Sequence, residues 1–231
     1  MNDKTIIFKM WKFPFLSETF ITSQIIIAIK CGFDVKILVK EVLSFEDSKQ
    51  TNLLEKYQLG DKIIVEDYRI PESILLKIVK WVYLLVVNIK YWPKIVKFYK
   101  EQSKFNLNAL FELLFYKQFR NVSIFHIQYG TNKTPLDVLK KIDFIKSSLI
   151  VSFHGHDAFF PINGFIPNNG YYNNLFSGSN RIIANTPYLA DVISALGCPK
   201  ANISTIPIPV DTDFFYPRKN GLSKKNTIKL I

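Results

Sequence analysis

Short apolar runs, each ending in a polar or glycine-containing stretch, recur along this chain. Runs of this kind read as strands buried on both faces of a parallel sheet. Residues 5–10 and 34–39 are the first two. Between them, Ser17 is placed to cap a helix that runs to Cys31, with Glu18 in its positive first turn and Gly32 just past its end. Strand, loop, helix, strand is a βαβ unit, which implies parallel pairing. Further strands are expected at 62–66, 124–128, 149–153, 181–184 and 203–206. Residues 72–104 read as helical with an interruption at Pro93. Thr134-Pro135 and Thr186-Pro187 each open a helix as cap and first residue, and the second of these ends at Leu196-Gly197. Residues 159–176 read as a long loop, 207–213 as a linker leaving the sheet, and 224–231 as the start of a new strand. The expected class is α/β, a Rossmann-like doubly wound parallel sheet.

In such a sheet, ligands bind beyond the carboxyl ends of the strands. Three stretches are expected at that edge: Phe15 to Thr19, His126 to Gly130, and His154-Gly155-His156-Asp157. Two of the chain's three histidines lie in the last of these. Its chemistry has three readings. His126, His154, His156 and Asp157 are residue types that can ligate zinc in a hydrolase. The same imidazoles and carboxylate can clamp a sugar hydroxyl or phosphate. Or the stretch is an ordinary hydrogen-bonded loop beside the core. Ser17-Glu18-Thr19 occupies the place of a phosphate loop, but no Gly-x-Gly-x-x-Gly is present and Glu18 would repel a phosphate.

Composition narrows the partners. The chain of 231 residues is 48% hydrophobic, enough for a substantial core, and carries a net charge of +11. That charge suits an anionic membrane surface, an anionic substrate or nucleic acid. Residues 73–104 concentrate it, with seven lysines against Glu101. Lys90, Lys94 and Lys97 are spaced for one helical face, and Trp81 and Trp92 interleave with them, a pattern suited to docking on anionic lipid. The longest uncharged run within 73–104, residues 81–89, is far shorter than the ~20 residues a span needs. Nucleic acid is disfavoured: arginine is scarce and no recognition motif is present. Two cysteines, Cys31 and Cys198, do not make a disulfide framework, and residues 1–4 lack signal-peptide character. A cytoplasmic protein, peripheral on the inner face of the membrane, is the expectation.

Several stretches together carry a family likeness. Phe13-Pro14-Phe15-Leu16-Ser17-Glu18-Thr19-Phe20-Ile21, with Gln24-Ile25 after it, resembles the opening of family 4 glycosyltransferases of the bacterial colanic-acid and exopolysaccharide type. His126-Ile127-Gln128-Tyr129-Gly130 is similar to that family's His-x-x-Phe-Gly. Phe153-His154-Gly155-His156-Asp157 resembles its Phe-His-Gly-x-Asp. Ile182 to Thr186, Leu196 to Pro199, and Ile206 to Phe214 resemble the end of its first domain and the exit linker, with Ile208-Pro209 in place of Asn-Gly.

The resemblance implies the N-terminal half of a GT-B fold. Residues 1–216 would be the acceptor-binding domain and 217–231 the start of a nucleotide-sugar-binding domain that is otherwise absent. It implies retaining transfer without a metal, a nucleotide-sugar as donor substrate and no tightly bound cofactor. The partners would be a glycan or lipid-linked acceptor and a separate donor-binding chain. By carry-over, His154 would be the catalytic contact to the transferred sugar or its phosphates. Gly155 and Asp157 would shape its loop, Ser17, Glu18, Thr19 and Phe20 would line the acceptor side, and His126 and Gly130 would support from the next strand. His156 falls at the variable position and receives no role. The family's Glu, seven residues, Glu motif does not follow Asp213, so the chain alone is expected to be inactive and to show an exposed apolar strip.

Overall fold

The computed structural model describes residues 4–48, 50–102, 104–159 and 170–208. Its strands are β1 (Thr5–Lys9), β2 (Lys12–Phe13), β3 (Asp34–Val39), β4 (Glu41–Val42), β5 (Ile63–Val65), β6 (Ile124–Gln128), β7 (Ser148–Phe153), β8 (Arg181–Ala184) and β9 (Ile203–Thr205). Its α-helices are α1 (Thr19–Lys30), α2 (Thr51–Lys56), α3 (Ile74–Val87), α4 (Trp92–Lys100), α5 (Asn108–Phe115), α6 (Leu136–Lys141), α7 (His156–Phe159), α8 (Asn173–Gly178) and α9 (Pro187–Ala195).

Seven strands form one parallel sheet in the order β5-β3-β1-β6-β7-β8-β9, and β2 pairs with β4 beside it. The chain winds outward from β1 to β5. It then returns through α3, α4 and α5 to β6 on the other side of β1, so the winding direction reverses between β1 and β6. The doubly wound α/β class is as expected, and each of the seven strands lies where the apolar runs placed it, to within a few residues. The reversal is the switch point at which a doubly wound sheet opens a crevice.

Strand alternation divides the core between the two faces. Ile6 and Phe8 of β1 pack with Ile21 and Ile25 of α1 and with Val35 and Ile37 of β3. Ile7 points the other way, into a larger cluster with Phe98, Leu110, Leu113, Phe125 and Ile127. Burying one such aliphatic or aromatic side chain contributes about 1.5–3 kcal/mol.

Three helix boundaries depart from expectation. Ser17 is exposed and does not cap α1; Glu18 stands at the cap position with no side-chain bond to a helix amide, because its carboxylate turns instead to the Tyr129 hydroxyl. Pro135 precedes the first residue of α6 rather than being it, and the Thr134 carbonyl accepts from the Lys9 ammonium. The 72–104 helix breaks at Asn88, ahead of Pro93. The Asn88 amide donates to the Leu84 carbonyl at 2.9 Å and its oxygen accepts from Lys117 at 2.8 Å. Pro93 lies in the first turn of α4, where a missing N–H costs nothing. By contrast, Thr186 caps α9 as expected, accepting the Leu189 amide at 3.1 Å.

The five residues expected to form one lipid-facing set do not share a face. Lys94 turns inward to the Ile142 carbonyl at 2.7 Å, with Asp143 at 3.9 Å. The Trp81 indole donates to the Tyr99 hydroxyl at 2.9 Å and packs against the core. Lys90, Lys97 and Trp92 remain exposed. No helix of the described residues is long and apolar enough to cross a membrane. Residues 209–231, which hold most of the linker and the expected new strand, lie outside the described residues, as do 160–169 of the long loop; α8 occupies part of the remainder.

Candidate functional site

Parallel register places the polar residues of the switch point in one row. Phe8 of β1 lies beside His126 of β6, and Gln128 lies beside Ser152 of β7. Alternation then puts His126, Gln128, Ser152 and His154 on the face covered by α1. Gln24 of α1 meets them there.

The row is hydrogen-bonded throughout. Gln128 is fully buried; its amide donates to Gln24 Oε1 at 2.9 Å and lies 3.4 Å from His126 Nε2. His126 Nε2 is also 2.8 Å from the Ser152 hydroxyl. The Gln128 oxygen is 3.0 Å from His154 Nε2. With the Gln128 amide nitrogen committed to Gln24, its oxygen acts as acceptor, so His154 carries its proton on Nε2. His154 Nδ1 is then a lone-pair acceptor, buried and without a hydrogen-bond partner among the described residues. Burial holds both rings neutral at physiological pH. It lowers the pKa of His154 to about 4, and burial together with the neighbouring His154 lowers that of His126 to about 4.

Aromatic rings fix the His154 plane. Phe20 of α1 lies 4.8 Å from it and Tyr129 lies 4.6 Å from it, centroid to centroid. Tyr129 has a φ of +67° and donates its hydroxyl to Glu18 Oε1 at 2.7 Å. That bond joins the start of α1 to the end of β6. Burial raises the pKa of Glu18, and the Tyr129 hydroxyl opposes the shift.

The turn after β7 is held by Asp157. Its Oδ1 accepts the amides of His154 and Gly155 at 2.9 and 3.0 Å, and its Oδ2 accepts the Gly130 amide at 2.7 Å. Burial pushes the Asp157 carboxyl up, and these amides push it down. Gly155 has a φ of +113°, a conformation side-chain-bearing residues rarely adopt. Gly130 is required for a different reason: a Cβ there would fall 2.3 Å from Cζ of Phe153.

The expected residues therefore divide. Glu18, Phe20, His126, Gly130, His154, Gly155 and Asp157 converge on one edge of the sheet. Thr19 contributes its carbonyl to the Ser23 hydroxyl within α1, and Ser17 stands outside the cluster. His156 is exposed at the start of α7. The zinc reading loses its donors: both Asp157 oxygens are taken by backbone amides, and no group of three or more His, Cys, Asp or Glu among the described residues could hold a metal ion. Sequence reasoning missed Gln24, Gln128 and Ser152 as site residues. For Gln128 and Ser152 the signal was present as alternation, since His126-x-Gln128 and Ser152-x-His154 place polar side chains at every second position of two apolar strands.

Two openings lie along this edge, and His154 lines the first. One, of about 270 Å³, is lined by Gln24, His126, His154, Asn185, Ile206 and Ile208. The other, of about 470 Å³, is lined by Trp11, Phe15, Glu18, Tyr129, Asn132 and Tyr171. The size, the neutral imidazoles and the aromatic walls suit a polar, uncharged ligand such as a sugar ring. Further along the edge, Lys9 is buried 3.8 Å from Glu66, which also accepts the Tyr116 hydroxyl at 2.6 Å. Burial lowers the Lys9 pKa to about 8 against the pull of Glu66.

Residues 83–214 match the model of Glycosyltransferase Family 4. The fold is similar to a crystal structure of Anabaena HepE in complex with UDP and glucose, with a TM-score of 0.56 and 13% identity, covering 91% of this chain and 46% of that one. It is also similar to HepE in complex with UDP-glucose, at a TM-score of 0.51 and 11% identity over 90% and 45% of the two chains. The chain thus spans about half the length of these solved relatives. A comparison with curated proteins found no match.

Proposed function

The chain belongs to glycosyltransferase family 4, and on that premise we propose that it is the acceptor-binding half of a retaining glycosyltransferase. The fold is a Rossmann-like sheet matching the N-terminal half of a GT-B enzyme. The proposed reaction moves a sugar from a nucleotide-sugar to a growing surface polysaccharide or a lipid-linked glycan at the inner face of the cytoplasmic membrane. The donor would be held by a second domain facing the carboxyl edge of the sheet. A UDP-sugar is the first donor to test, because the solved neighbours are complexes with UDP and glucose and with UDP-glucose.

One observation carries this reading: His154, neutral and fixed between Phe20 and Tyr129, lines the switch-point crevice. In transfer, the bond from the sugar's anomeric carbon to the leaving phosphate oxygen breaks. A bond from that carbon to an acceptor hydroxyl oxygen forms, and the hydroxyl proton leaves with the phosphate. The groups of this chain position rather than react. His154, with its Nε2 held by Gln128 and its Nδ1 buried, would set the exposed part of its ring against the sugar in the filled cleft. The Asp157 turn keeps His154 at the edge, and Glu18 with Tyr129 and Phe15 forms the acceptor wall. Exposed Trp11, Phe15 and Leu16 supply an apolar rim for the donor domain. Holding donor and acceptor together supplies much of such a rate, so the chain by itself should turn over little or no donor.

The test is sugar transfer from a panel of nucleotide-sugars to lipid-linked glycans, with the chain alone and with a donor-binding domain supplied. Transfer that depends on the second domain supports the reading, and robust turnover by the chain alone contradicts it.

A further inference from the structure

Helix α3 faces the wrong way for a solvated helix. None of its fourteen residues is buried. Its body side carries Lys77, Lys80, Trp81, Leu84 and Leu85, all half-buried, with the Lys80 ammonium donating to the Arg69 carbonyl at 2.8 Å. Its outer side is apolar: Leu75, Val79 and Val86 are 68%, 59% and 64% exposed, and Val82, Tyr83 and Val87 lie between and beside them. An ordinary surface helix shows the opposite arrangement. The face continues past the Asn88 break through exposed Ile89, Trp92 and Val96, and into a groove of about 450 Å³ walled by Trp81, Leu85, Tyr99 and Phe105.

We infer that α3 and the outer side of α4 lie in the surface of an anionic lipid bilayer, with the α3 apolar face among the acyl chains. This deepens the peripheral location proposed above, but the surface is argued without reference to transfer. The charge around the face selects the occupant. Lys90, Lys97 and Lys100 are exposed along its rim, and residues 73–100 contain no acid at all. A second copy of this chain would bring the same lysines against them, like charge facing like. Lipid phosphates complement them, and lysine stems can lie along apolar surface while their ammonium groups reach the headgroups. Trp92 and Tyr83 are residue types that settle at that interface. The helix does not span: fourteen residues reach roughly 21 Å, short of a core of roughly 30 Å. A helix lying in the plane, apolar side down, is what remains. The exposed set is thus centred on α3, with Lys90, Lys97 and Trp92 at its margin.

Sedimentation of the full chain with vesicles tests this. One set contains phosphatidylglycerol and phosphatidylcholine in equal parts, and the other phosphatidylcholine alone. Binding to the anionic vesicles should be on the order of tenfold stronger, weaken with salt, and shift tryptophan emission to the blue. The triple variant Leu75→Glu, Val79→Glu, Val86→Glu replaces solvent-exposed side chains, so its melting temperature should hold while vesicle binding is lost. Lys90→Glu with Lys97→Glu should weaken binding and flatten its salt dependence. His154→Ala should bind vesicles as the parent does, so failure of the transfer reading and failure of this one are separable. No binding to anionic vesicles, binding unchanged in the triple variant, or a lipid-free dimer abolished by it would each overturn the inference.

Discussion

Asp157 bridges two strands' ends: its Oδ2 accepts the Gly130 amide beyond β6 at 2.7 Å while its Oδ1 holds the His154 and Gly155 amides beyond β7. A carboxylate can take all three; a carboxamide offers one oxygen and turns an N–H toward the rest. Asp157→Asn should therefore destabilise the fold by about 1–3 kcal/mol and lower transfer further by releasing His154. Urea denaturation read alongside the transfer assay checks both parts.

Gly130 and Gly155 should fail differently. Gly130→Ala drives a methyl into the Phe153 ring and should cost about 1–3 kcal/mol by overpacking, part of which Phe153→Leu recovers. Gly155→Ala meets nothing within 4 Å, but its φ of +113° strains any side-chain-bearing residue. It should cost about 1–3 kcal/mol, with no recovery from Phe153→Leu. Thermal melts of the two single and two double variants separate the causes.

Stability should fall in mild acid. His126 and His154 both titrate near pH 4 in the fold, against about 6.5 unfolded. Between those values the unfolded chain binds more protons, so stability is full above about pH 6.5 and declines as pH falls toward 4. The decline is at most about 1.4 kcal/mol per pH unit for each ring. Chemical denaturation between about pH 7 and pH 5 should show this slope, and the double variant His126→Gln, His154→Gln should flatten it.

The sheet and much of the site were legible in the sequence because both rest on local pattern. Ile124 to Gln128 and Ser148 to Phe153 are apolar runs with nowhere to go but a buried sheet, and the polar ends of such strands mark the crevice. The α3 surface was legible only in part. The lysines and tryptophans of 73–104 suggest a lipid-facing set, yet the structure turns Lys77 and Lys80 toward the body and the valines outward, and helical periodicity does not say which face meets the core. The bond from Tyr129 to Glu18 was not legible, because its partners lie 111 residues apart. The inward turn of Lys94 likewise depends on Ile142 and Asp143, far along the chain.

Lys9 and Glu66 form a second, testable unit at the same edge. Lys9→Met leaves the Glu66 carboxylate buried with only tyrosine hydroxyls as partners and should cost about 3–5 kcal/mol. Adding Glu66→Gln should cost less than the sum of the single changes, since the uncompensated charge is gone. A double-mutant cycle by urea denaturation measures that coupling.

The most direct measurement is sugar transfer by the chain supplied with a donor-binding domain, comparing the parent with His154→Ala at equal folded fraction. The account predicts transfer that requires the second domain and falls on the order of 10²-fold in His154→Ala, beyond the loss of stability of about 1–3 kcal/mol that follows from leaving the buried Gln128 oxygen without its partner. Transfer unchanged by His154→Ala, or full transfer by this chain alone, would contradict it.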